Sequence, residues 1–307
     1  MSTSSSIHIE AETCIVTVVT DDFFAGGVVM LASLLKHHPD DTHPILILHH
    51  DERAPLTELH REVLEELSPR VRCIAAGDAE FWVARDRLAR KLGTPARLTA
   101  AFLILEAFRI TGPARVVTLD SDLLFLRSCR ELFETTADFA AVRAFDGQGD
   151  LPKSFFNSGV MCIGSRHLTG TTYNDLLHST TVAHLPPGTG MADQLLLNAY
   201  FGPARRSYLD PSLNVTKRHF PDRSGPIEEQ FAATPTRVLH YVAAKPWQTR
   251  AEATEDTYMC AEALWHAAHV EAYEALSRGT RERLLSRGYS TTLELSKRAL
   301  GEGLRSR

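Results

Sequence analysis

The chain has 307 residues, of which 44% are hydrophobic and 23% are charged, with a formal net charge of −5. This size suits one large α/β domain with a smaller C-terminal appendage, and the acidic balance argues against a nucleic-acid partner, because phosphate backbones select basic surfaces. The five cysteines are scattered without a C-x-x-C pair, which argues against a disulfide framework or a thiolate zinc site. Met1 to Ser6 lacks the features of a signal peptide and no run is long enough to span a membrane, so a cytoplasmic setting is expected.

Strand and helix patterns alternate through the first part of the chain. Strands are typically β-branched and short, and helices show apolar residues at a period near 3.6. The alternation is typical of a doubly wound α/β sheet. Strands are predicted at residues 14–20, 44–48 and 70–74. Helices are predicted after the glycines at 26–27, ending before Pro39, and at 56–67, 79–92 and 97–110.

The central feature is a short apolar strand that ends in two acids. Residues 116–119 are apolar or β-branched, and Asp120 and Asp122 follow directly. Alternate residues of an extended segment point the same way, roughly 7 Å apart, so both carboxylates can address one cation. Ligands of open α/β sheets bind beyond the carboxyl ends of strands, where this pair would lie. The alternative is a helix cap, in which Ser121 or Asp122 starts a helix over residues 123–126.

Polar residues interrupt the apolar patterns again further along the chain. A strand is predicted at residues 138–143 and another at 155–163, with Asn157, Ser158 and Gly159 inside the second. Glycine within a strand marks a β-bulge or a close approach to another group, and both interpretations remain open here. The segment from Met191 to Asn198 begins a helix, in which Asp193 is either functional or an acid favoured at a helix start.

A last short strand, residues 237–241, carries His240 at its end and leads into a loop that carries Lys245. Pro246 and Trp247 fix the position of the lysine. An imidazole at the end of a strand and an ammonium group in the loop that follows suit a cation and an anion bound in the same pocket.

Residues 258–300 have helical patterns, and the last thirty residues contain eight Lys or Arg against three Glu. This excess of basic residues would allow contact with an anionic membrane surface. A solvated helical tail is the favoured interpretation, because no Trp or Phe accompanies the charge.

Five ordered motifs resemble glycosyltransferase family 8, which includes glycogenin and the bacterial lipopolysaccharide galactosyltransferases. The resemblance covers about residues 14–250. The motifs are residues 20–27, residues 119–122, residues 156–160, Asp193-Gln194 with Leu197-Asn198, and His240 with Lys245-Pro246-Trp247.

The resemblance implies a GT-A fold, in which a Rossmann-like mixed sheet carries helices on both faces, and a retaining transfer from a UDP-sugar with Mn²⁺ as cofactor. The implied metal ligands are Asp120, Asp122 and His240. The implied nucleotide-sugar contacts are Thr20, Asp21, Phe24, Asp120, Ser121, Ser158, Gly159 and Lys245, with the Phe24 ring stacking on the base. The implied residues at the reaction centre are Asn157, Asp193 and Gln194.

The chemistry of these residue types is consistent with that function. Cleavage of a nucleoside diphosphate sugar leaves charge on the β-phosphate, which a divalent cation and a lysine stabilise. Hard carboxylate ligands suit Mg²⁺ or Mn²⁺, and one imidazole favours Mn²⁺. No residue is an obvious covalent nucleophile, so we expect a front-face displacement.

Two departures from the family pattern support an alternative hypothesis, a non-catalytic sugar-nucleotide or carbohydrate-binding protein of the same fold. The loop from His240 to Lys245 is one residue short, with Ala243 where the family has glycine. The basic residue expected before the D-x-D strand is replaced by residues 99–102, and Arg97 is the candidate substitute.

The predicted organisation is a poorly ordered N-terminus (residues 1–12), a GT-A domain (residues 13–250) and a helical extension (residues 251–307). The acceptor is expected to be a small molecule or a glycan, and its identity stays open, as do the transferred hexose and the oligomeric state. A composition rich in Ala, Arg and Leu is typical of GC-rich bacteria, which suits a natural product or a surface glycan as acceptor.

Overall fold

The computed structural model describes residues 7–145, 153–178, 192–248 and 258–303. Residues 1–6 of the predicted N-terminal segment and Met191 lie outside these ranges. Within the rest of that segment, the Ile9 amide donates a hydrogen bond of 2.9 Å to the Thr111 carbonyl oxygen.

The described residues form ten strands and ten α-helices, joined by several 3₁₀ turns. The strands are β1 Thr13–Val18, β2 Ile45–His49, β3 Val71–Ala75, β4 Arg115–Leu119, β5 Leu123–Phe125, β6 Phe139–Arg143, β7 Phe156–Gly164, β8 Ser207–Tyr208, β9 Val215–Thr216 and β10 Val238–His240. The helices are α1 Phe24–His37, α2 Glu58–Glu66, α3 Ala79–Leu92, α4 Glu131–Glu134, α5 Gly170–His178, α6 Asp193–Tyr200, α7 Ile227–Ala233, α8 Met259–Ala275, α9 Arg278–Ser286 and α10 Ser290–Gly303. The predicted helix at 97–110 is a 3₁₀ segment, Ala96–Arg109.

Seven strands form one mixed sheet in the order β3-β2-β1-β4-β7-β6-β8. Strands β3, β2, β1 and β4 are parallel, whereas β7 is antiparallel to both β4 and β6. Successive residues of β1 face different apolar cores: Ile15 packs in one, and Val16 in the other. This alternation follows from the two-residue period of a strand and confirms the predicted sheet with helices on both faces.

The antiparallel pairing of β4 with β7 brings two polar segments together. Leu119 lies opposite Val160, so Asp120, just after the end of β4, lies beside Gly159 in the first half of β7. The Asp120 amide donates a hydrogen bond of 2.9 Å to the Gly159 carbonyl oxygen. The end of one buried strand therefore lies beside the start of another.

A second sheet has three short strands in the order β5-β10-β9. Strand β5 occupies residues 123–125, so the alternative of a helix capped by Ser121 or Asp122 is wrong. Leu123 is paired with His240, and the Tyr241 amide donates a hydrogen bond of 3.0 Å to the Asp122 carbonyl oxygen. The D-x-D residues thus form the joint between the two sheets.

The C-terminal helix α8 packs against α1 and α10. Its Trp265 is fully buried and lies 5.3 Å, centroid to centroid, from the Trp247 ring. This contact joins the helical extension to the loop that carries Lys245. None of the helices in the described part of the chain is long and apolar enough to cross a membrane.

Candidate functional site

A cavity of about 420 Å³ opens where β1 and β4 end and β7 begins. Ten of the residues predicted from the motifs line this cavity: Thr20, Asp120, Ser121, Asp122, Asn157, Ser158, Asp193, Gln194, His240 and Lys245. The structure therefore brings together segments that are far apart in the sequence.

Asp120, Asp122 and His240 form a group that could hold a metal ion, with ligand atoms within 4.8 Å of one another. The His240 Nε2 atom lies 3.1 Å from Asp122 Oδ1 and 3.6 Å from Asp120 Oδ2. Partial burial and the neighbouring Asp122 charge raise the pKa of Asp120, whose side chain is 44% exposed. Two carboxylates and one imidazole fit Mn²⁺ or Mg²⁺, and a divalent charge would offset the repulsion between the acids.

Lys245 lies against the same carboxylate. Its Nζ atom donates hydrogen bonds to Asp122 Oδ2 and to the Tyr241 carbonyl oxygen. Burial alone would raise the pKa of Asp122, but the Lys245 and His240 side chains hold it below its ordinary value. Asp122 is therefore the more readily ionised of the two acids.

Asn157 lines the cavity, and its side-chain oxygen is also bonded within the protein. Its Oδ1 atom accepts hydrogen bonds of 2.8 Å from the Gly159 amide and from Asn214 Nδ2. Gly159 is required by space, because a Cβ atom there would lie 2.5 Å from His240 Cε1. The interruption in β7 thus supports the metal-ligand group from behind.

Asp193 and Gln194 begin α6 and line the cavity. Burial raises the pKa of Asp193, although the Ser158 hydroxyl and the first amides of the helix donate hydrogen bonds to its carboxylate. Gln194 Oε1 accepts a hydrogen bond of 3.2 Å from the Ser158 amide. Asn198, one turn later, is bonded to both backbone groups of Phe156 and fixes α6 to β7.

The predicted uridine contacts need a correction. The Phe24 ring is 2% exposed and stacks on His60 at a centroid distance of 3.7 Å, so the predicted stacking of a base on Phe24 is wrong. Asp21 Oδ1 accepts a 2.8 Å hydrogen bond from the Thr57 amide and lies 2.6 Å from His60 Nδ1. Phe23 is the aromatic residue that lines the cavity, with Lys245 Nζ 5.5 Å from its ring centroid.

The short loop between His240 and Lys245 requires a left-handed backbone. Ala243 has φ of 61°, the one positive φ among the non-glycine residues that the structure describes. An L-amino acid is strained there, and this is the position where the family motif has glycine. The alanine therefore holds a backbone conformation that glycine would adopt without strain.

Buried contacts hold this loop against α8. Lys217 Nζ donates hydrogen bonds of 2.7 Å to the Ala244 carbonyl oxygen and 2.9 Å to Glu262 Oε1. The Tyr241 hydroxyl donates a hydrogen bond of 2.7 Å to the Ala261 carbonyl oxygen. The helical extension thus fixes the backbone on either side of Ala243.

Gly26 allows the D-x-D loop to approach α1. A Cβ atom at this position would lie 2.6 Å from both the Ser121 carbonyl oxygen and the Trp247 ring. Trp247 Nε1 donates a hydrogen bond of 2.9 Å to the Asp22 carbonyl oxygen. Gly26 is therefore a packing residue at which three of the five motifs meet.

Two arginines add positive charge to the cavity. Arg97, the candidate substitute for the missing basic residue, lines it together with Arg218. Sequence reasoning missed Phe23, Arg218 and Asn214. The pair Phe23-Phe24 was a usable signal for the first, whereas the other two lie in a stretch without a regular pattern.

Comparisons with known proteins agree with this geometry. The model of glycosyl transferase family 8 matches residues 14–251. The structure is similar to that of the galactosyltransferase LgtC in complex with donor and acceptor sugar analogues, with a TM-score of 0.60 and 18% identity over 88% of this chain and 99% of the other. The structure is also similar to that of the glycosyltransferase GlyE of Streptococcus pneumoniae TIGR4, with a TM-score of 0.58 and 19% identity over 90% of this chain and 64% of the other.

A third similar structure is the bifunctional glycosyltransferase WbbM in its apo form, with a TM-score of 0.57 and 17% identity over 87% of this chain and 52% of the other. No curated protein sequence matches the chain. These structural similarities support a GT-A-type fold, and the match to the family model extends over most of the length. The chain belongs to glycosyltransferase family 8.

Proposed function

We propose that the protein transfers a hexose from a UDP-sugar to an acceptor hydroxyl, with a divalent metal ion and with retention of anomeric configuration. The observation that carries this proposal is the convergence of Asp120, Asp122 and His240 on one point of the cavity. Asp193 and Gln194 line the same cavity from the start of α6. Donor phosphates and donor sugar would thus have separate partners.

Asp120, Asp122 and His240 would hold Mn²⁺, with Mg²⁺ as the alternative. The bound cation would stabilise the negative charge that develops on the diphosphate leaving group. Lys245 would add a second positive charge at the same place once its ammonium group turns from Asp122 to the phosphate. Arg97 lies in the cavity as a further phosphate partner.

The reaction at the sugar breaks the bond between the anomeric carbon and the β-phosphate oxygen. The acceptor oxygen forms its new bond on the same face, and its proton passes to the departing phosphate oxygen. Asp193 is ionised and negatively charged in this scheme, so it would stabilise the oxocarbenium-like sugar. Gln194, whose Oε1 atom already accepts from the Ser158 amide, would orient the sugar rather than attack it.

The uridine end of the donor would lie near Thr20 and Phe23. Both residues line the cavity, and the half-buried Phe23 ring is the aromatic surface nearest to the position that the motif assigns to the base. We infer that Phe23 replaces Phe24 in this role. Natural products and surface glycans remain the proposed acceptor classes.

The test is UDP release from a panel of UDP-sugars, followed by NMR analysis of the product anomer. We expect one hexose donor to be turned over in the presence of Mn²⁺, with retention of configuration. Inversion at the anomeric carbon would overturn the front-face scheme. Tight UDP binding without turnover of any donor would instead support the non-catalytic alternative.

A further inference from the structure

A chain of three side chains connects the cavity wall to His240. Asn214, which is 2% exposed and directly precedes β9, lies between the other two. Its Oδ1 atom lies 2.8 Å from His240 Nδ1, and its Nδ2 atom lies 2.8 Å from Asn157 Oδ1. The chain Asn157-Asn214-His240 thus runs from the half-buried Asn157 through the buried Asn214 to one of the proposed metal ligands.

The direction of these hydrogen bonds is fixed by a backbone amide. The Gly159 N–H group can only donate, so the Asn157 atom that it meets at 2.8 Å must be the side-chain oxygen. An oxygen at that point requires the Asn214 NH₂ group to face Asn157. The Asn214 oxygen must then face His240, and His240 Nδ1 must carry a proton.

We propose that Asn214 is a positioning residue that holds His240 in the tautomer with the proton on Nδ1. The Nε2 lone pair is then directed at Asp120 and Asp122, where it can bind a divalent cation. This inference rests on the proposed function in that it assumes a metal at this site. Ligand histidines are commonly oriented in this way by a partner at their second nitrogen.

The hydrogen-bonded chain Asn157-Asn214-His240, which we call the relay, opposes a second tautomer of His240 with the proton on Nε2. Asp122 Oδ1 lies 3.1 Å from His240 Nε2, and a carboxylate at that distance favours a proton on Nε2. A proton there would remove the lone pair needed for the metal. Asn214 disfavours it, because the oxygen that it presents to Nδ1 can only accept a hydrogen bond.

The first test is the tautomer of the native protein without metal, read from long-range ¹H–¹⁵N spectra of ¹⁵N-histidine-labelled protein. We expect the His240 proton on Nδ1. A His240 ring protonated on Nε2 alone would overturn the inference. This measurement needs no variant, so it stands even if a substitution at Asn214 prevents folding.

The second test is the affinity for Mn²⁺ alone, followed by electron paramagnetic resonance. Asn214→Leu removes both hydrogen bonds at similar volume, and we expect the affinity to fall about 10- to 100-fold. Asn157→Leu should also weaken Mn²⁺ binding, although Asn157 does not contact His240 in the relay. Asn157→Asp keeps the oxygen that accepts from Asn214, so it should not weaken Mn²⁺ binding. The exposed Asn174→Leu is the control.

The outcomes separate this inference from the proposed function. Native affinity in both Asn214→Leu and Asn157→Leu would overturn the relay while leaving a metal-dependent transferase intact. Failure of the native protein to bind Mn²⁺ would instead overturn the metal site itself. If Asn214→Leu binds Mn²⁺ more weakly than the native protein but has the same thermal unfolding, the result supports the positioning role.

Discussion

The ammonium group of Lys245 lies against the carboxylate of Asp122, one of the three proposed metal ligands. The contact holds the pKa of Asp122 below its ordinary value and keeps the acid ionised, as metal binding requires. The same lysine would be needed at the diphosphate during transfer. Lys245 would therefore contact Asp122 in the free protein and the diphosphate in the donor complex.

Replacement of Lys245 should impair transfer more than metal binding. For Lys245→Met we expect kcat to fall about 10²- to 10³-fold, because a charge that stabilises the leaving group is lost. Mn²⁺ should still bind, because Asp120, Asp122 and His240 remain. Steady-state kinetics and a metal titration check this, with the exposed Lys36→Met as control. An unchanged kcat would contradict the role of Lys245.

The ion pair of Lys217 with Glu262 should contribute to stability, because the Lys217 side chain is fully buried. Lys217→Met leaves Glu262 without its partner, and we expect the free energy of unfolding to fall by about 3 kcal/mol. Lys36→Met breaks an exposed pair between α1 and Glu271, which lies on α8 as Glu262 does, and it should cost less than about 1 kcal/mol. Urea unfolding measures both, and equal losses would contradict the importance of burial.

The left-handed conformation of Ala243 gives a prediction about the shortened loop. Ala243→Gly should raise the free energy of unfolding by about 0.5 to 1 kcal/mol, because relief of strain exceeds the added entropy of the unfolded chain. Ala243→Val should lower it by about 1 kcal/mol or more, since β-branched residues disfavour positive φ. Ala204→Gly and Ala204→Val, at an exposed position, are the controls. A stabilising Ala243→Val would contradict the assigned backbone.

Acid should weaken the attachment of the helical extension. His266 and His269 both bond to Ser296 Oγ at 2.9 Å, and His269 also bonds to the Tyr289 hydroxyl. Burial lowers the pKa of each ring to about 4, below the ordinary value of 6.5. The unfolded chain therefore binds more protons between pH 6.5 and 4, so stability falls as the pH falls.

The expected loss is about 2 kcal/mol for each histidine between pH 7 and pH 5. His269→Gln removes one of the two titrating rings and should reduce the pH-dependent loss by about that amount. The exposed His178→Gln should leave it unchanged. Urea unfolding at several pH values measures the effect, and an identical pH profile for His269→Gln and native protein would contradict it.

Much of the fold follows from local patterns. The strand that ends at Asp120 and the strand interrupted at Asn157 were predictable because both are apolar runs broken by polar residues. Their meeting requires only that β4 and β7 pair in opposite directions. Strand β5 was harder to predict, because three residues carry no periodicity and become a strand only by pairing with β10.

The remaining parts of the site depend on contacts that no local pattern encodes. Asn214 lies 57 residues from Asn157 and 26 from His240, in a stretch without strand or helix periodicity. The choice between Phe23 and Phe24 depends on the 3₁₀ turn Asp21–Phe23, which directs adjacent rings to opposite sides. Sequence spacing alone cannot distinguish neighbours in such a turn.

The most direct test of the central claim is UDP release by native protein and by Asp122→Asn, each with Mn²⁺ and after chelation with EDTA. Asp122→Asn changes one charge at nearly constant volume in the residue that faces both Lys245 and His240. We predict turnover by native protein only with the metal, and none by Asp122→Asn under either condition. Turnover that survives both the chelator and the substitution would contradict a metal-dependent transferase at this site.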